Sequence, residues 1–169
     1  MLTKRFRLFY WCALLLLILP SIAFAEGRVV HHQITSQILA DAGQSAEREL
    51  SVYLPEEYET STGHYPVMYL IHMFTGTNRT FLGAGASGRM TGIHVNEIVD
   101  KLIEDGQIQP MIVILPNMNR VDRVSPPYND YLAQEIVPFV DSMYRTVPNR
   151  EGRAITGHSR RPNVAREEG

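Results

Sequence analysis

Two uninterrupted apolar runs, VMYLI at 67–71 and MIVIL at 111–115, constrain the fold of this chain more than any other feature. A strand with one solvated face alternates apolar and polar side chains, whereas an unbroken run suits a strand covered on both faces. Between the runs, Ile93, Val95, Ile98, Val99, Leu102 and Ile103 recur at helical spacing, and Gly106 ends the repeat. Beyond the second run, Leu132, Ile136, Val137, Phe139, Val140 and Met143 trace another amphipathic helix over 131–144, with Pro138 inside it as a kink. A short third strand, RAIT at 153–156, then enters Gly157. Strand, helix, strand, helix, strand in that order predicts an α/β layered fold with a mainly parallel sheet and flanking helices. Upstream, RVVHHQIT at 28–35 and ELSVYL at 49–54 read as two further strands. Gly76, Gly83, Gly85, Gly88 and Gly92 mark the stretch after the first run as loop, and Pro126-Pro127 mark a second one.

Residues 1–25 stand apart from that pattern. Lys4, Arg5 and Arg7 precede an apolar run from Leu8 to Leu19, Pro20 breaks it, and Ala23-Phe24-Ala25 has the small-x-small form of a cleavage site. The run is shorter than the ~20 residues a membrane-spanning helix needs. The expectation is a secretory signal peptide, a protein exported to the periplasm or secreted, and no stable membrane span after cleavage. Cys12, the single cysteine, falls inside that segment, so a mature chain starting at Glu26 carries no thiol. Asn78-Arg79-Thr80 has the form of an N-glycosylation acceptor, relevant only to a eukaryotic secretory route. A formal net charge of -2 without charge runs leaves out the basic footprint of a nucleic-acid partner.

In sheets of this kind, reactive groups gather at the carboxyl ends of the strands. Two strand ends here carry suitable residues: His72-Met73-Phe74-Thr75-Gly76 and Gly157-His158-Ser159. A serine hydroxyl is a weak nucleophile; it needs exposure, a base and donors aimed at the oxyanion it creates. A sharp strand-to-helix turn written Gly-x-Ser-x-Gly supplies the exposure. Here Gly157-His158-Ser159-Arg160-Arg161 keeps the first glycine, the serine and the preceding strand, with Arg161 at the second glycine. His158 adjoins the serine, but successive residues on such a turn point apart. His72 suits a brace for the neighbouring loop better than a base. His31 and His32 belong to a surface or edge strand. His94 and Glu97 have an i, i+3 spacing, yet two ligands do not make a metal site. Asp100, Glu104 and Asp105 read as the solvated side of the first helix.

Taken together, LSVYLPEEYETSTGHYPVMYLIHMFTGTN, IVDKLIEDGQIQPMIVILPN and YNDYLAQEIVPFVDSMYRTVPNREGRAITGHS resemble the esterase family of α/β-hydrolases, in that family's order and spacing. The family includes esterase D-type S-formylglutathione hydrolases, enterochelin esterase-like proteins, feruloyl esterases and mycolyltransferases. The resemblance covers roughly 49–159. It implies hydrolysis of a carboxylic ester or thioester, or acyl transfer, through a Ser-His-Asp/Glu triad without metal or other cofactor. The substrate it implies is a small-molecule or glycan-linked ester. By the same resemblance Ser159 matches the nucleophile, the backbone amides of Arg160 and Phe74 match the oxyanion donors, and His72 and Gly157 support them. Family members commonly carry His-Gly where this chain has His72-Met73.

After Ser159 the pattern changes. Relatives continue with small residues and a helix, whereas RRPNVAREEG offers only Val164 and Ala165 as apolar side chains. The triad acid and base of this fold follow the nucleophile in the chain, so they are expected beyond residue 169. The sequence therefore predicts a signal peptide over 1–25, part of an α/β-hydrolase domain over 26–159 ending just after the nucleophile-elbow strand, and an unrelated tail over 160–169. Such a chain is expected to lack turnover and to self-associate through an open sheet edge. A different expectation, a non-catalytic exported binding module, rests on Arg160-Arg161 at a strand end as an anion holder.

Overall fold

The computed structural model describes residues 26–73, 76–84, 92–118 and 126–158. Five strands run through it: β1 (Arg28–Thr35), β2 (Glu47–Leu54), β3 (Val67–Ile71), β4 (Ile112–Pro116) and β5 (Arg153–Gly157). Helix α1 (Gln37–Asp41) joins the first two strands, α2 (Val95–Glu104) lies between β3 and β4, and α3 (Pro126–Asp130) and α4 (Val137–Met143) lie between β4 and β5. The sheet order is β1-β2-β4-β3-β5.

The expected α/β layering is present, and the sheet is mixed. β3 pairs in parallel with β4 and with β5, while β1–β2 and β2–β4 are antiparallel. The difference has a local cause. Only residues 36–46 separate β1 from β2, fewer than a parallel crossover needs, whereas whole helices separate β3, β4 and β5. The unbroken runs behave as their composition requires. All five residues of β4 are buried, and β3 buries Val67, Tyr69 and Ile71 completely or nearly so.

Apolar side chains form one cluster on each side of the sheet. Leu50, Val52, Leu54, Val67, Tyr69, Ile71, Ile112 and Ile114 pack with Leu39, Tyr131, Leu132, Ile136 and Val140 on one side. On the other, Tyr53, Val113 and Leu115 pack with Phe81 and Val99. Burying each such side chain is worth about 1.5–3 kcal/mol, so the two clusters hold the layers together.

The helices depart from the sequence expectation in detail. Helix α2 begins two residues later than its apolar pattern, and Gly106, at φ +67, takes the left-handed position just past its end. The Pro126-Pro127 stretch starts α3 instead of forming loop, because proline is tolerated in a first helical turn, where N–H groups are unpaired anyway. A π-helical turn, Tyr131–Ile136, separates α3 from α4 and places Pro138 in the first turn of α4. Proline lacks the N–H an α-helix would use here, so the helix widens before it where a simple kink was expected. Ile98 and Met143 belong to the apolar stripes but are 50% and 54% exposed, so the stripes are wider than the faces the sheet covers.

Among the described residues β5 lies at the edge of the sheet. The carbonyl of Gly152 and the N–H of His158 both bond to β3, at 2.8 and 3.1 Å. By strand alternation, Ala154 and Thr156 also face β3, and the polar backbone groups of Arg153, Ile155 and Gly157 face outward. Ile155 is 37% exposed.

Candidate active site

The carboxyl ends of β3, β4 and β5 meet at one edge of the sheet. Gly157 pairs with Ile71, and the His158 N–H donates to the Ile71 carbonyl at 3.1 Å. This brings the end of β5 beside His72, the first residue past β3. His72 is 2% exposed.

Two hydrogen bonds fix its imidazole. Nε2 accepts the Met118 N–H at 2.9 Å, and Nδ1 lies 2.6 Å from the Met73 carbonyl oxygen. A nitrogen that accepts carries no hydrogen, so the proton is on Nδ1 and is donated to Met73. The ring thereby ties the loop after β3 to the loop after β4. Gly76 closes the first loop by donating its N–H to the same carbonyl at 2.9 Å. It has no room for a side chain: a Cβ there would lie 2.7 Å from Thr80 Oγ1 and 2.8 Å from His72 Nδ1. Buried Thr80 in turn accepts the Thr77 N–H at 2.7 Å. His72 is a brace, and its hydrogen bonds leave neither nitrogen to serve as a base.

Of the residues expected at the site, His72 and Gly157 are brought together. Phe74, Ser159 and Arg160, with Arg161, lie outside the described residues. His158 is exposed at the end of β5.

The other candidates sort differently. His31 is exposed on β1, and its Nδ1 lies 2.8 Å from Ser51 Oγ. His32 lies on β1, an edge strand as expected, and its ring packs edge-on against Phe139 and Tyr144. Burial first, and the neighbouring His31 second, hold its pKa below the ordinary imidazole value. His94 Nδ1 reaches Glu97 Oε1 at 3.2 Å, a local pair on one helix turn. Among the described residues no three histidine, cysteine or acidic side chains converge as metal ligands. Asp100, expected in solvent, accepts from the Tyr53 hydroxyl at 2.5 Å and from the Gly27 N–H at 3.0 Å. It thus clips the start of β1 to α2. Burial, and then this hydrogen bond, push the Tyr53 pKa up.

A cleft of about 570 Å³ among the described residues is walled mainly by carboxylates, Glu56, Glu57, Glu97, Asp100 and Glu104 among them, together with Lys101 and Ile103, and neither His72 nor Gly157 lines it. No helix among the described residues is long and apolar enough to cross a membrane.

Comparison with known proteins supplies what geometry alone does not. The family model described as "Putative esterase" matches residues 43–161. Endo-1,4-beta-xylanase Y of Acetivibrio thermocellus is 27% identical over 120 residues, covering 71% of this chain and 10% of that protein. Esterase Rv1288 of Mycobacterium tuberculosis is 26% identical over 122 residues, covering 65% and 23%. A solved ferulic acid esterase superposes with a TM-score of 0.64 at 26% identity, covering 79% of this chain and 48% of that one. An S-formylglutathione hydrolase of Staphylococcus aureus, at 19% identity and a TM-score of 0.56, shares the fold over 79% and 48%. The chain thus spans about half the length of the solved structures and less of the curated proteins.

Proposed function

The chain belongs to the esterase family matched over 43–161, an α/β-hydrolase fold, and from that premise we propose that it carries the nucleophile-bearing part of an exported serine esterase. In this reading Ser159 attacks the carbonyl of a carboxylic ester or thioester. The backbone amides of Phe74 and Arg160 receive the oxyanion, and His72 holds the first of these loops in place. The observation that carries the reading is the pairing of Gly157 with Ile71, two residues before Ser159 and directly beside the braced His72 loop.

A tetrahedral intermediate needs donors fixed before charge develops. The described residues flanking Phe74 support this role: the Gly76 N–H donates to the Met73 carbonyl, and His72 links Met73 to Met118. The ester is small or glycan-linked; a ferulate-type ester, as the name of one structural relative states for that protein, is the first to test. Export rests on the basic start, apolar run and Ala23-Phe24-Ala25 of the leader.

We infer that the outward backbone groups of β5, which no strand among the described residues pairs, favour pairing with another copy of the chain.

The test is hydrolysis of p-nitrophenyl acetate and a feruloyl ester by the purified chain beside a Ser159→Ala control. Weak hydrolysis that disappears in the control supports the assignment. Hydrolysis equal in both proteins removes Ser159 as nucleophile.

A further inference from the structure

We propose that a cleft on the β1–α2 side of the sheet, whose lining includes neither His72 nor Gly157, binds a small oxyanion. The cleft holds about 230 Å³ and is lined by His31, Arg79, His94 and Asn96, with Val29 and Leu82 as its apolar wall. These residues come from β1, from the loop after β3 and from the start of α2.

The strongest sign of construction is beneath His31. Ser51 and Asn78 are fully buried or nearly so, and Asn78 Nδ2 donates to Ser51 Oγ at 2.7 Å. His31 Nδ1 lies 2.8 Å from the same oxygen, within reach of the one proton Ser51 can donate. Donation of that proton to Nδ1 puts the ring hydrogen on Nε2, as a donor into the cleft. Two buried polar side chains are an unusual way to hold a surface histidine, since burying polar groups costs free energy that hydrogen bonds must offset. Here they fix one tautomer and one ring orientation.

Arg79 adds charge. Its Nε and Nη2 meet the Glu49 carboxylate at 3.3 and 3.4 Å. A guanidinium has five N–H donors, so most of its fork stays available to a ligand. The same contact, ahead of the Asn78 amide and His31, holds the Glu49 carboxyl below its usual range.

His94 is positioned as deliberately. Gly83, at φ +83, packs under its ring, where a Cβ would lie 2.4 Å from Cε1. With Nδ1 turned to Glu97, Nε2 of the neutral ring accepts a hydrogen. The four polar side chains therefore present donors from Arg79 and His31, an acceptor from His94, and the amide of Asn96, which does either. That set matches an oxyanion that also carries a hydroxyl: monohydrogen phosphate, or a sugar acid with its carboxylate and adjacent O–H. Glu49 and Glu97 are already paired with Arg79 and His94, which limits their repulsion of the ligand.

The full chain is titrated calorimetrically with inorganic phosphate and, separately, with glucuronate at fixed ionic strength in chloride. Saturable binding with a Kd of about 1 mM or below is expected for at least one of them. Arg79→Gln and His31→Ala each weaken it about tenfold, as loss of a charged or oriented donor does. Ser51→Ala weakens it as well, by releasing the His31 ring, while Lys101→Gln, outside the cleft, leaves it unchanged. Phosphate binding alone identifies a tetrahedral anion as the ligand; tighter glucuronate binding identifies a sugar acid. The proposal fails if neither ligand saturates, or if Arg79→Gln binds as Lys101→Gln does. Arg79 and His31 are exposed and their replacement spares the core, so they decide the matter even where Ser51→Ala lowers the melting temperature. The outcome is independent of the Ser159→Ala assay.

Discussion

At Gly76 a single hydrogen atom separates a braced loop from a broken one. Gly76→Ala would drive a methyl group against Thr80 Oγ1 and the His72 ring, at 2.7 and 2.8 Å. Overpacking of this kind typically costs about 1–3 kcal/mol. Urea denaturation of the variant is expected to show that loss, together with a fall in any Ser159-dependent hydrolysis. His32 gives a second residue-scale expectation. Its pKa is depressed in the folded chain by burial and by His31, so below the unfolded value of 6.5 the unfolded chain binds the extra proton more readily. Stability contributed by neutral His32 is therefore complete above that pH and lost as pH falls toward its folded pKa. The melting temperature should drop between about pH 7.5 and 5.5, and His32→Gln should flatten that part of the profile. An unchanged slope in the variant would assign the acid sensitivity to other groups.

Among the elements, α2 offers the clearest test of a backbone requirement. Gly106 sits at φ +67, and a methyl group added there would meet nothing within 4 Å, so Gly106→Ala would change conformational energy and little else. A destabilisation of about 1 kcal/mol is expected from thermal or urea unfolding. The same helix shows how far sequence reasoning reaches. Its apolar spacing and terminal glycine were readable because they report local geometry. β3 and β4 were readable because burial on both faces leaves no polar position in the run. Helix α1 escaped notice: QILAD is too short to show a period, and its one local signal is Ser36, whose hydroxyl accepts the Leu39 N–H at 3.0 Å. The π-helical turn before Pro138 was not legible either, since a proline announces a disruption without saying whether the helix will bend or widen. For the site, His72 was identifiable as a brace from its place after a strand. Its partner Met118, 46 residues away, was not, because a backbone N–H leaves no mark in the sequence. Likewise His31, Arg79 and His94 have no common spacing; only the β1–β2 pairing and the loop after β3 bring them to one cleft.

For the molecule as a whole, the two sheet edges differ. β1 alternates exposed and half-buried residues and carries Arg28, His31, His32 and Gln33. β5 exposes Ala154, Ile155 and Thr156, none of them charged, and its one charged residue, Arg153, is half-buried and paired with Asp141. Edges without exposed charge invite strand addition, and net domain stabilities of ~5–15 kcal/mol leave little to oppose it. Light scattering coupled to size exclusion is expected to show concentration-dependent association of the chain, reduced by Ile155→Lys. A monomer at every concentration, unaffected by the substitution, rules that association out. A last consequence concerns Asn78, which is 1% exposed and holds Ser51 from inside the fold. In a host whose secretory machinery decorates Asn-Arg-Thr on emerging chains, the sugar would arrive before this asparagine is enclosed. An oligosaccharide has no place beneath β1, so production route alone would decide between a chain able to close over Ser51 and one permanently propped open.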